Sequence, residues 1–333
     1  MPRRARSAHA YVAALCVLSA ACGTATERPL TPAMSHAGVL SQAKALAVVQ
    51  AYDRENNRVN GSLDISGIAG IETDPLRASS VAWMTVSKRL RTPIPAIRST
   101  EPKFAIPKET ANGQWFLTIC QRVKGGVPSP QPSYVVYAKP VGTGTFRAAY
   151  SLTPTEYEKI PDLAYDSSGA ALATSSPRDL AVAPADLGRA ITDHYVKHLS
   201  GKDALAFSKP LDEQLGAGYN LGVSALAKRD VVLKREVDSS PSPWFALRAK
   251  NGGALVFSTA RVTDTLKSRK PGGRASLRAG SNDAALLGKP EGATAPRFTI
   301  RRLEMFMSFV PPANSGGKVK VLAFSETATS VRA

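Results

Sequence analysis

Apolar residues recur at helical spacing at the head of two long stretches of this chain. Over 41–59, Leu46, Val49 and Tyr52 fall at three-residue steps, and over 184–199, Leu187, Ile191, Tyr195 and Leu199 fall at four-residue steps. Each stretch therefore predicts a helix with one apolar stripe. Gly61 and Gly201 follow the last periodic residues and read as the stops. Behind each helix the pattern becomes β-like. Trp115-Phe116-Leu117-Thr118-Ile119 follows the turn residues Asn112-Gly113, and Trp244-Phe245-Ala246-Leu247-Arg248 follows Pro241-Ser242-Pro243. β-rich runs recur at 133–138 and 254–260, the second preceded by the hairpin signal Asn251-Gly252-Gly253. Final strands are predicted at 144–150, 298–310 and 318–331. In the second of these, Met305 and Met307 alternate with Phe306 and Phe309, so neither face is polar and the strand is expected to be covered on both sides or to meet the other half.

Composition sets the divisions between these patterns. Residues 166–183 are small, polar and punctuated by proline, as in an interdomain linker, and separate a first α+β domain at 38–165 from a second at 184–333. Within the second, 264–298 is rich in Gly, Lys, Arg and Ala and reads as a surface insertion. Residues 22–37 carry Pro29 and Pro32 with no hydrophobic period, the character of a flexible stalk.

Residues 1–21 have the build of a targeting peptide. Arg3, Arg4 and Arg6 form a positive start, an apolar run spans 10–21, and Ala20-Ala21 place small residues before Cys22. The run is shorter than the ~20 residues a helix needs to cross a bilayer. Leu18-Ser19-Ala20-Ala21-Cys22 resembles a lipobox, with Ser19 where leucine is usual, and Cys22 would be the acylated first residue of the mature chain. Each buried acyl CH₂ contributes ~0.8 kcal/mol, so two chains would fix the protein to the outer face of the cell membrane through Cys22.

The formal charge is +17, and loss of the three leader arginines leaves +14. Such a field attracts anionic lipid headgroups or wall polymers. Export disfavours nucleic acid as a partner, leaving an unidentified protein as the other candidate. The basic residues come as short clusters, Lys88-Arg89-Arg91, Lys228-Arg229, Lys234-Arg235, Lys267-Arg269-Lys270 and Arg301-Arg302, read here as solvated faces. Once Cys16 has left and Cys22 is acylated, only Cys120 remains, in a strand expected to bury it as an inert thiol.

A leading helix followed by a meander of antiparallel strands, twice over, is an α+β arrangement of two tandem cone-like domains, each a helix packed on a curved antiparallel sheet. With its lipobox, paired helix starts and paired Trp-Phe strands, the chain resembles the two-domain extracellular lipoproteins of actinobacteria whose halves are similar to the nuclear-transport-factor-2-like (cystatin-like) superfamily. That superfamily includes enzymes, ligand binders and scaffolds, so the resemblance implies a fold and not a function.

Candidate chemistry is sparse. His194 and His198 are one turn apart on the second helix, and at about 100° per residue from Leu187 they fall at about −20° and +20°, on the apolar stripe. No Glu stands beside His194 and no third ligand is signalled, so neither a metal nor a cofactor is expected. Asp53 and Glu55, two apart, read as a solvated acidic face, and Gly142-Thr143-Gly144 as a turn rather than a phosphate loop. Three functions stay open. The first is a non-enzymatic, membrane-anchored binding or interaction module. The second is a small-molecule binder with a cone cavity lined by His194, His198, Tyr195 and Trp244. The third is a hydrolase or isomerase using the histidine pair.

Overall fold

Ser41 starts the first helix by accepting a hydrogen bond from the Lys44 N–H at 3.3 Å. The computed structural model describes residues 38–333 apart from 109, 111–112, 140–143, 155–158, 175–176, 198–208 and 239–242. The expected signal, stalk and Cys22 therefore lie outside the described residues. The first half holds α1 (Gln42–Ser62), α2 (Ile68–Ile71), α3 (Leu76–Leu90), β1 (Ile97–Ala105), β2 (Gln114–Lys124), β3 (Val127–Pro128), β4 (Ser133–Lys139) and β5 (Arg147–Leu152). The second holds α4 (Pro184–Lys197), α5 (Lys209–Ala227), β6 (Val231–Val237), β7 (Phe245–Arg248), β8 (Ala254–Ser268), β9 (Ala275–Leu277), α6 (Asn282–Leu287), β10 (Ala293–Ala295), β11 (Arg297–Val310) and β12 (Lys320–Arg332). Both large sheets are antiparallel, ordered β1-β2-β4-β5 and β12-β11-β8-β6, with β3 beside β2 and β7 beside β8. The mixed α+β class read from the sequence is the one observed.

The first helix differs from expectation in phase and end. Its buried positions are Ala45, Val49, Tyr52, Asp53, Asn56 and Val59, while Leu46 is 37 % exposed. Two of the six are polar, which a count of apolar positions misses. The helix also runs through Gly61 and stops at Leu63, whose left-handed backbone (φ 51°) turns its N–H back to Asn60 and Val59. The glycine signal worked better at Asn251-Gly252-Gly253. Gly252 has φ +84°, and the Ala249 N–H donates to Gly253 O at 2.8 Å between β7 and β8. The strands read at 144–150, 298–310 and 318–331 are observed as β5, β11 and β12. Helices α3 and α5 were not read from the sequence.

Strand alternation places each sheet between a helix and the other sheet. On β2, Phe116 turns to α1, stacking on Tyr137 at 5.1 Å, and Tyr137 meets Tyr52 edge-on at 5.6 Å. Trp115 turns the other way, onto Phe245 of β7 at 5.1 Å, and Tyr150 of β5 meets Phe257 of β8 at 5.8 Å. Leu255, Phe257, Leu303, Met305 and Met307 share one buried cluster with Trp115, Leu117, Val136 and Tyr150. The opposite face of the second sheet, with Val256, Ala260 and Phe306, packs on Leu187 and Ile191 of α4. The order of layers is thus α1, sheet, sheet, α4. The methionines of β11 meet the first half while Phe306 faces α4, which is why that strand is apolar on both sides. At roughly 1.5–3 kcal/mol per fully buried large apolar side chain, this sheet-to-sheet layer is a main source of stability.

The segment between the halves is laced to both. Ala171 N–H donates to Ile106 O at 3.1 Å, Thr174 N–H to Ala246 O at 3.1 Å, and Ala181 N–H to Pro311 O at 2.9 Å. Its small residues allow this close approach. The stretch 264–298 begins inside β8 rather than in a loop, and it buries Ala275, Leu277, Ala284, Ala295 and Phe298 in a cluster of its own. Arg89 of α3 clamps it by donating from Nη1 to Ala285 O at 2.6 Å and Leu286 O at 2.8 Å.

Candidate functional site

The second half opens into a cleft of about 470 Å³ between α5 and the outer face of its sheet. Leu215, Gly218, Tyr219, Gly222 and Leu226 of α5 form the roof; Leu233, Leu266, Leu277 and Phe324 supply apolar wall. Gly218 and Gly222 are one turn apart, and a Cβ added to either would meet nothing within 4 Å. The space beneath the helix is therefore made by the missing side chains.

The floor is a lattice of charged side chains held in register by the sheet. Arg235 on β6 pairs directly across from Asp264 on β8, donating from Nε to Oδ1 at 2.7 Å and from Nη2 to Oδ2 at 2.8 Å. Glu304 on β11 stands opposite Glu326 on β12, two like charges that would repel. Arg235 Nη1 lies between them, 2.9 Å from Glu304 Oε1 and 3.0 Å from Glu326 Oε2. Arg302 donates from Nε to Asp264 Oδ2 at 2.8 Å and from Nη2 to Asp283 Oδ2 at 3.0 Å. Above, Arg235 sits under the Tyr219 ring, 5.3 Å from its centroid. Burial alone would lower the Arg235 guanidinium, but its bonds to Asp264 and the charge of Glu326 hold it above its ordinary value.

Helix α4 reaches this lattice because of Gly188, where a Cβ would come within 2.3 Å of Thr259 O on β8. One and two turns on, Thr192 and Tyr195 meet Glu304. Tyr195 donates its hydroxyl to Oε1. Thr192 Oγ1 lies 2.6 Å from Oε2 and 3.0 Å from Gly188 O. A hydroxyl has one proton, so both of these contacts are satisfied together when Glu304 is protonated and donates from Oε2. Burial pushes the Glu304 carboxyl up to about 7, against the opposing pull of Arg235, Thr192 and Tyr195. The Tyr195 hydroxyl is raised by the same burial and by the Glu304 charge.

Of the residues expected to line a cavity, Tyr195 does so. His194 is half-buried on the flank of α4 and Trp244 is half-buried against the α4-side core; neither lines the cleft. The stripe phase explains this. With Leu187, Ile191, Tyr195 and Thr192 at about 0°, 40°, 80° and 140°, the buried sector centres well away from His194. His198 and the turn Gly142-Thr143 lie outside the described residues. Two charge readings are corrected. Asp53 is buried, accepting from Ser99 N–H at 2.6 Å and Arg122 Nη1 at 3.3 Å, while Glu55 alone is on the exposed face with Arg58. Arg235 and Arg302, read as members of solvated clusters, carry side chains only 6 % and 19 % exposed; their neighbours Lys234 and Arg301 are the solvated ones. A signal existed in Glu304, a lone acid within Leu303-Glu304-Met305-Phe306-Met307, because an acid on a strand with two apolar faces must be buried with a partner. Cys120 is buried as expected, and burial pushes its thiol up.

A family profile described as a domain of unknown function, DUF8094, matches residues 36–333. An uncharacterised lipoprotein of Streptomyces coelicolor, SCO2278, is 27 % identical over 250 residues, covering 71 % of this chain and 69 % of that protein. No solved structure matches. Among the described residues no helix is long and apolar enough to cross a membrane.

Proposed function

We propose that this chain, which belongs to the DUF8094 family, is a lipid-anchored protein of the outer membrane face whose second half binds a small molecule without transforming it. The cleft under α5 carries the reading. Its volume is in the range of small-molecule sites, its walls are mainly apolar, and a few polar groups converge on one end. The ionisable side chains of the floor are engaged with one another, which suits a rigid recognition surface better than a poised acid or base. Similarity to a lipoprotein supports the anchor, and Leu18–Cys22 supplies its chemistry. The surplus of basic residues favours a position close to anionic headgroups and wall polymers. A helix packed on an antiparallel sheet in each half supports kinship with the nuclear-transport-factor-2-like superfamily.

The protein purified from its native host is the material for the test. Mass spectrometry of the denatured wild type should release a small molecule that a Gly218→Trp variant, with its cleft filled, lacks. Equal yields from the two, or none from either, would remove the cleft from consideration. Separately, Cys22→Ala should move the protein from the membrane fraction to the soluble one.

A further inference from the structure

The hydrogen-bonding capacity left over in the cleft says which end of a ligand it meets. Arg235 spends Nε, Nη1 and Nη2 on Asp264, Glu304, Glu326 and Tyr195. Arg302 spends Nε and Nη2 on Asp264 and Asp283. An incoming anion finds guanidinium donors already aimed at carboxylates, and would have to displace one. The acceptors are less fully used. Among the described residues Asp283 gives only Oδ2 to Arg302, and Glu326 Oε1 stands 3.5 Å from Arg302 Nη1, beyond a good hydrogen bond. Both side chains line the cleft and are about a quarter exposed. The other lining cation, Arg278, is exposed at the rim, where its long side chain can stay in water. Beyond the carboxylates, Leu226, Leu233, Leu266, Leu277 and Phe324 offer surface that no head group can satisfy.

We infer, building on the cleft as the binding site, that its ligand is an amphipathic molecule with an ammonium head group, the head lodged between Asp283 and Glu326 and the apolar body lying beneath Gly218 and Gly222. The glycines set the thickness of body that fits under the helix. Asp283 and Glu326 set the sign of the head.

Three probes that share a chain and differ only in head group test this: octylammonium, octan-1-ol and octanoate. Each is titrated calorimetrically into the full mature polypeptide made with Cys22→Ala, so that no detergent is needed. Octylammonium should bind about tenfold more tightly than octan-1-ol, the worth of a hydrogen bond to a charged partner, and octanoate more weakly than either. The double variant Asp283→Asn, Glu326→Gln should bring octylammonium down to the level of octan-1-ol and leave octan-1-ol unchanged. Asp283→Asn alone, which can still hydrogen-bond Arg302, should show an intermediate loss. Octanoate binding as well as octylammonium, or a preference that survives the double variant, overturns the ammonium assignment while leaving the cleft as a site. Binding of none of the three, or binding that Gly218→Trp does not reduce, overturns the assignment and the cleft reading together.

Discussion

In the second half, Arg235, Asp264, Glu304, Thr192 and Tyr195 satisfy one another behind the cleft. In the first half, the matching layer between helix and sheet also buries charge, with Asp53, Arg122 and the Tyr52–Glu72 hydrogen bond of 2.8 Å, but leaves polar atoms over. Arg122 Nε, Tyr137 Oη and Thr118 Oγ1 are buried with no hydrogen-bond partner among the described residues. The Tyr137 hydroxyl is accordingly raised by burial, beyond the ordinary tyrosine range. The same helix-on-sheet plan thus yields a closed ionic lattice in one half and an open polar interior in the other. The difference teaches that a buried polar centre in this architecture is not itself a mark of a site. The lattice is the rigid back wall of the cleft, whereas the leftover donors of the first half call for internal water.

The largest effect should come from Arg235→Met. It strands Asp264, Glu304 and Glu326, and chemical denaturation should show a loss of about 3–5 kcal/mol. Arg122→Met should cost only about 1–2 kcal/mol, because Asp53 keeps the Ser99 N–H and hydroxyl. Equal losses would break the comparison at its root.

Next in size is a pH effect. The Glu304 carboxyl stands near 7 folded against 4.5 ordinarily, so between those values the folded state holds the extra proton. Its contribution is complete below about pH 4.5 and fades as pH climbs to about 7, by about 3 kcal/mol at most. Glutamine imitates the neutral acid, donating to Thr192 and accepting from Tyr195. Glu304→Gln should therefore flatten this part of the stability profile while matching wild type near pH 4.5. Glu72, also pushed up by burial, should leave a residual slope of the same sign. A variant weakened equally at every pH would show Glu304 to be ionised throughout.

Gly188→Ala should follow at about 2 kcal/mol, since the added methyl meets the Thr259 carbonyl of β8 and lifts Thr192 and Tyr195 off Glu304. The smallest effects discriminate most finely. Tyr195→Phe should cost about 1.5–3 kcal/mol by taking a donor from Glu304, while Tyr137→Phe should be close to neutral, its hydroxyl having no protein partner to lose. A large cost for Tyr137→Phe would point to an ordered water held tightly there, which a high-resolution crystal structure would then have to show between Tyr137 and Arg122.

Legibility in the sequence followed the range of the forces involved. Ser41, Asn251-Gly252-Gly253 and the Trp-Phe strand openings act within a few residues of themselves, and each gave its element correctly. Helix α5 escaped notice because Gly216, Gly218 and Gly222 argue against a helix; its glycines make sense only above the cleft that they open. Arg235 and Lys234 are chemically alike and adjacent, and nothing local says which one turns inward.

The sequence by itself determined the α+β class, the strands that alternate or fail to alternate, the burial of Cys120 and the leader that ends at Cys22, because hydrophobic period and turn chemistry are properties of short segments. Tertiary structure alone decided which charges are buried, that the two sheets share one core, and that a cleft lies under α5. Those outcomes depend on strand partners up to about a hundred residues apart, Thr192 and Tyr195 with Glu304 and Arg235 with Glu326 among them. The energy of burying a charge depends on the partner brought beside it, and no run of neighbouring residues encodes that.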